Sequence, residues 1–148
     1  MKVLHAGNMV NLAYLFTKHL RLKDIDAELL MEKNPPLVGD PRKFDFTLNE
    51  KFPSWIYFYD KQNTSWKFEI IKKMREKKYD LIHSYVELPI FSYLSRKPFI
   101  AQTQGSDFRE LAFTNSLKGF LLRRAYKKAK LVLLGQADHT KLISKLKL

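Results

Sequence analysis

The heptapeptide Thr103-Gln104-Gly105-Ser106-Asp107-Phe108-Arg109 gathers the residue types with the most chemistry in this chain. It follows the apolar run Pro98-Phe99-Ile100-Ala101. A buried strand that runs into glycine, then small and acidic residues, then a helix is how an open α/β sheet presents groups to a ligand beyond its strand ends. Gly105 permits a tight turn and a close backbone approach. Ser106 and Asp107 either bind ligand hydroxyls or cap a helix start. Gln104 donates and accepts hydrogen bonds but does not titrate, so it is no acid or base. A second candidate is Gly7-Asn8, after the apolar start of the chain, where free N–H groups of a following helix can hold an anion. Only one glycine stands there, so the full dinucleotide fingerprint is missing. His5 and His83 close core strands, where a hydrogen-bonded structural histidine is the simpler reading. Glu87 and Arg109 are candidates for orienting a hydroxyl or an anion. None of these groups has metal-ligand spacing, and no metal is expected.

The elements that must position these groups are readable from periodicity. Residues 2–6 form a first strand. Met9, Leu12, Ala13, Phe16 and Leu20 then recur with helical spacing and predict a helix with that face inward. Residues 27–31 form a second strand. Residues 32–54, with four prolines, predict a long loop of the kind that serves as a lid or binding loop. Residues 55–59 fit either a strand or a packed aromatic turn. Trp66, Ile70, Ile71 and Met74 predict a helix within 64–77, followed by a strand at 79–83 and a short helix at 88–94. Residues 98–103 are the next strand, Leu117, Leu121 and Ala125 mark another helix, and residues 131–134 are a last strand. Asp138 suits the cap of a closing helix that carries Leu142, Ile143 and Leu146. The alternation predicts a doubly wound, Rossmann-like parallel sheet of five to six strands with helices on both faces. Residues 1–148 read as a single domain.

Composition limits the function classes. The 45% hydrophobic and 14% aromatic content supports a packed core. With no cysteine there is neither a disulfide framework nor a thiolate metal site. No apolar run nears the roughly 20 residues of a spanning helix, and a cytoplasmic protein is expected. The net charge of +12 is uneven: residues 115–148 carry nine Lys or Arg against one acid. Arg123, Arg124, Lys127 and Lys128 form basic rows that suit an anionic partner such as a membrane surface. No nucleic-acid-binding signature is present, although a basic module on membrane or RNA stands as the alternative reading.

The order of the segments Met1 to Gly7, Tyr79 to His83, Phe99 to Asp107 and Ala129 to Leu134 resembles the N-terminal domain of family 4, GT-B-type glycosyltransferases. The resemblance implies one Rossmann-like half of a two-domain retaining enzyme, with a C-terminal donor-binding domain as partner and a glycan or lipid-linked acceptor. It implies a nucleotide-sugar as co-substrate and no further cofactor. Within it, Asp107 and Gln104 take the catalytic positions. Gly7, Asn8, Gly105 and Ser106 lie near donor phosphates, and His83, Glu87 and Arg109 face the acceptor. Two departures are visible: Gln104 stands where the family commonly has histidine, and Gly7 is single where a glycine pair is common. On this reading the chain is not active alone.

Overall fold

A computed structural model describes residues 1–48 and 51–146. Asn49 and Glu50, inside the predicted loop, and Lys147 and Leu148 lie outside the described residues. Six parallel strands form one sheet: β1 (Lys2–Ala6), β2 (Asp26–Glu32), β3 (Ile56–Tyr59), β4 (Leu81–Tyr85), β5 (Phe99–Gln102) and β6 (Leu131–Leu133). Their order across the sheet is β3-β2-β1-β4-β5-β6. The doubly wound parallel architecture expected from the alternation is therefore present. The aromatic run is the strand β3, paired in parallel with β2 from Leu29–Ile56 to Glu32–Tyr59.

The helices are α1 (Leu12–Arg21), α2 (Trp66–Met74), α3 (Pro89–Ser95), α4 (Ser106–Arg109), α5 (Leu117–Lys128) and α6 (Thr140–Leu146). The two faces of the sheet are unequal. Leu4, Ala6, Leu30, Ile82, Phe99 and Ala101 pack with α2, α3, α5 and α6 into the larger core. Leu29, Met31, Ile56 and Tyr85 point the other way and pack on Ala13 and Tyr14 of α1. Strand alternation produces this split, because adjacent residues face opposite sides.

Three expectations shift. The buried stripe of α1 is Ala13, Tyr14 and Thr17, while Met9 and Phe16 are exposed. Thr17 satisfies its hydroxyl on the Ala13 carbonyl at 2.7 Å, which allows a polar residue on the core side. The fourth strand is shifted two residues along from the expected 79–83, so Ser84 and Tyr85 lie within it as well as His83. The segment after β2 is not structureless. It carries three single-turn 3₁₀ helices, Leu37–Gly39, Pro41–Lys43 and Phe46–Leu48.

Candidate functional site

The chain leaves β1 through α1 toward β2 and leaves β4 through α3 toward β5, in opposite directions across the sheet. The crevice at such a reversal is where open α/β sheets bind ligands. Gly7, just after β1, sits at φ +92°, and its N–H donates to the Leu30 carbonyl at 2.8 Å. A side chain there would meet Leu88 Cδ1 at 3.2 Å. Val86, just after β4, also has positive φ, at 59°. A β-branched residue in the left-handed region is strained, and such strain collects at ligand sites.

Between these turns lies a cleft of about 230 Å³. Met9, Met31, Pro35 and Leu88 give it apolar walls, and Glu32, Lys61 and Glu87 give it charge. Glu32 closes β2 and pairs with Lys61 at 2.7 Å. Burial, then Glu32 and Glu87, push the Tyr59 hydroxyl above its ordinary pKa. The two carboxylates thus act on one buried phenol. Carboxylates accept hydrogen bonds from hydroxyl or amino groups, while the apolar walls hold a flat or hydrocarbon part. At about 230 Å³ the cleft is smaller than the roughly 300 Å³ at which drug-sized pockets begin, so it suits only a small ligand.

One side of the site is pinned from within. Asn8 donates to the Gly39 carbonyl at 2.8 Å and accepts from the Tyr14 N–H at 2.9 Å. A Cβ on Gly39 would fall 2.6 Å from the Asn8 carbonyl, so only glycine lets this loop reach the turn. Asp45 accepts from Tyr14 and Lys18, tying the same segment to α1. The Asn8 side chain expected near phosphates is therefore a structural tie.

Beneath the turns, β1 and β4 bring His5 and His83 together, ring centres 5.0 Å apart. The Tyr85 hydroxyl bridges their Nδ1 atoms at 2.8 and 3.2 Å. Burial, with His83 beside it, lowers His5 to about 3, and burial lowers His83 to about 4. Both are neutral at pH 7 and 7% exposed or less. His83 is a core residue and does not reach out to a ligand.

The turn after β5 is built differently. Asp107 is buried and accepts from the Gly105 N–H at 2.6 Å, the Gln104 N–H at 3.1 Å and the Tyr126 hydroxyl at 3.0 Å. Its carboxylate holds the turn and the start of α4, so it is not free for a substrate. Gly105 has φ 173°, an extended backbone, so no left-handed turn is made there. Thr103 accepts from the Gly135 N–H at 3.1 Å and pairs with buried His139 at 2.7 Å. A Cβ on Gly135 would meet the Thr103 carbonyl at 2.2 Å. Arg109 pairs with Gln136 and Asp138, and Gln136 also donates to the Gln104 carbonyl. Ser106 is exposed on α4. Gln104, Gly105, Ser106, Asp107 and Arg109 thus form one stitched turn, away from the cleft that Gly7 and Glu87 line.

The basic row is also divided. Arg123 donates to the carbonyls of Ala112 and Thr114 at 2.7 and 3.0 Å, so it closes a neighbouring turn. Arg124 lies over the Phe120 ring, and Lys127 and Lys128 are exposed. Sequence reasoning missed Glu32, Lys61, Tyr59 and Val86. A signal existed for Glu32: an acid at the end of the second strand, here 25 residues after Gly7, stands near the spacing of roughly 20 at which Rossmann folds place a ribose-binding carboxylate. Met9 and Leu12 occupy the positions of the second and third fingerprint glycines, so a pyrophosphate has no close approach to the start of α1.

No protein-family model matches the chain, and no curated protein matches it. Solved structures similar to it include a point mutant of GsuK, at 10% identity and a TM-score of 0.51, over 98% of this chain and 33% of that one. The GsuK channel is similar at 11% identity and a TM-score of 0.53, over 98% of this chain and 23% of that one. The likeness is one of fold. It overturns the glycosyltransferase expectation, because the neighbours are chains of a channel and the predicted catalytic Asp107 is bound up inside its own turn. The acceptor-domain function, the donor-domain partner and the glycan or lipid-linked acceptor are withdrawn with it. This chain spans a third of the first neighbour and about a quarter of the second. Among the described residues no helix is long and apolar enough to cross a membrane.

Proposed function

We propose that this chain is a ligand-binding regulatory domain that takes a small hydroxyl-bearing ligand of nucleoside size at the β1–β4 crevice. The observation that carries the reading is the cleft between the left-handed turns at Gly7 and Val86, edged by the carboxylates of Glu32 and Glu87. The apolar walls receive a flat base, and Glu32 accepts from a vicinal diol. With no glycine at the second and third fingerprint positions, a nucleoside or mononucleotide fits better than a dinucleotide. The fold neighbours belong to a channel, which supports a sensing role beside a larger partner rather than catalysis. In this reading the domain works on the cytoplasmic side.

The test is isothermal titration of the chain with adenosine, AMP, ATP and NAD, and with ribose alone. Adenosine and AMP are expected to saturate one site. Glu32→Gln should weaken them about tenfold, equal to about 1.4 kcal/mol. Absence of saturable binding by every nucleoside, or binding unchanged in Glu32→Gln, overturns the reading.

A further inference from the structure

The larger core leaves a second recess between α2, α3 and α5, which meets the cleft at Glu87. Helix α3 has seven residues and is mostly buried, while its neighbours α2 and α5 have nine and twelve. The short middle helix forms the floor and the longer ones form walls. The result is a groove of about 430 Å³ floored by Ile90, Phe91 and Leu94 and walled by Trp66, Leu117 and Leu121. Its rim is apolar and open: Leu117 is 74% exposed and Leu94 36%. Contiguous exposed apolar surface of this kind marks an interaction site.

Apart from Glu87, the charge around the groove is positive. Leu117, Leu121, Arg124 and Lys128 recur at i, i+4, i+7 and i+11, so the apolar wall of α5 continues as a cationic stripe. Lys67 stands on the opposite wall, over the Trp66 ring. Arg96 is exposed just past α3. The acid at the groove is Glu87, and it is already paired with Lys118. An occupant must therefore bring apolar side chains for the floor and negative charge for the flank.

We propose that this groove docks an amphipathic helical segment of a protein partner, whose apolar anchors seat between α2 and α5 and whose acidic residues meet Arg124 and Lys128. Apolar anchors at i, i+3, i+4 and i+7 are how a helix fills such a groove. The cationic stripe selects the partner and orients it. The proposal does not depend on the cleft ligand.

Trp66 lines the groove and reports its occupancy. The chain has two tryptophans, so Trp55→Phe leaves Trp66 as the sole indole. The test titrates this variant with two designed peptides of about 18 residues, each with leucines at helical anchor spacing. One has flanking glutamates and the other flanking lysines. The glutamate peptide is expected to shift Trp66 emission and to bind at least tenfold more tightly than the lysine peptide. Leu117→Glu, at a site too exposed to disturb folding, should abolish binding. Arg124→Glu with Lys128→Glu should remove the preference between the peptides while circular dichroism stays unchanged. Equal binding of both peptides overturns the proposal. So does a Trp66 response to phosphatidylserine vesicles with none to peptide, which assigns the groove to lipid. Self-association in sedimentation that Leu117→Glu dissolves, without peptide binding, assigns it to a second copy and overturns it likewise.

Discussion

The turn after β1 and the turn after β5 begin alike: each follows a core strand, carries a glycine and leads toward a helix. They end as opposites. After β5, Asp107 accepts from two backbone N–H groups and the Tyr126 hydroxyl, and Thr103 takes the Gly135 N–H and the His139 Nδ1, so no carboxylate oxygen is left for a visitor, although Nε2 of His139 and of Gln104 stay buried without a partner among the described residues. After β1, the glycine is left-handed, its neighbour across the crevice, Val86, is strained, and a cleft opens between them, edged by Glu32 and Glu87, whose ion pairs with Lys61 and Lys118 are made outside the turn. Polar residues at a strand end identify a ligand site only when their hydrogen-bonding capacity is not already used within the turn. A buried carboxylate must be paired, and one that its own turn already pairs is finished as structure.

The comparison sharpens most at Asp107. Asp107→Ala removes the acceptor for two backbone N–H groups and a buried hydroxyl and is expected to cost about 3 kcal/mol. Urea unfolding measures that loss, and ligand affinity at the cleft, corrected for the folded fraction, should stay the same. A loss of affinity with unchanged stability would reverse the assignment of the two turns. Next is Gly135→Ala. Its Cβ would lie 2.2 Å from a backbone carbonyl, which the turn cannot yield without moving, so about 2 kcal/mol is expected with no change at the cleft.

The architecture was largely readable because its signal is additive. Alternation of β-type runs with 3.6-residue periodicity pointed to the parallel sheet, and six strands formed. The site was less readable, because it depends on which side chains meet. Asp107 and Glu32 are both acids near strand ends, and no local pattern says that the first turns inward to its own backbone while the second faces a cleft. Val86 carried no signal, since it reads as an ordinary strand-end residue, and Tyr59 reads first as one member of a packed aromatic run. The face of α1 was misjudged for a similar reason. Thr17 and Tyr14 bury themselves by hydrogen-bonding the Ala13 carbonyl and Asp45, an option that hydrophobic periodicity does not register.

A smaller effect separates the strands beneath the open turn from the rest. His5 and His83 are held neutral, at about 3 and 4 against 6.5 in the unfolded chain. Below pH 6.5 the unfolded chain therefore binds protons that the folded chain does not, and stability falls with pH by up to about 1.4 kcal/mol per unit for each histidine. Glu28 acts later. Burial raises its pKa, but hydrogen bonds from Lys2, Tyr79 and Lys78 outweigh that and bring it to about 2. Its contribution is full above 4.5 and is lost as pH falls toward 2. Unfolding midpoints between pH 6.5 and 5 thus isolate the histidines. Replacing both with leucine should flatten the profile in that window, and a slope that persists would assign the acid sensitivity elsewhere.

The smallest effect has the opposite sign. Val86 and Val10 both sit at positive φ, at 59° and 47°, where a β-branched residue costs about 1–2 kcal/mol. Glycine relieves that strain but loses about 0.5–1 kcal/mol through greater unfolded freedom. Val86→Gly and Val10→Gly should each stabilise the fold by about 0.5 kcal/mol. Their effects on binding should part: Val86 lines the cleft, whereas Val10 is 55% exposed and does not. Only Val86→Gly should weaken the ligand. If it gains stability and keeps full affinity, strain at the open turn is incidental to binding. If it gains stability and loses affinity, the fold holds Val86 in an unfavourable conformation because the ligand needs a wall there.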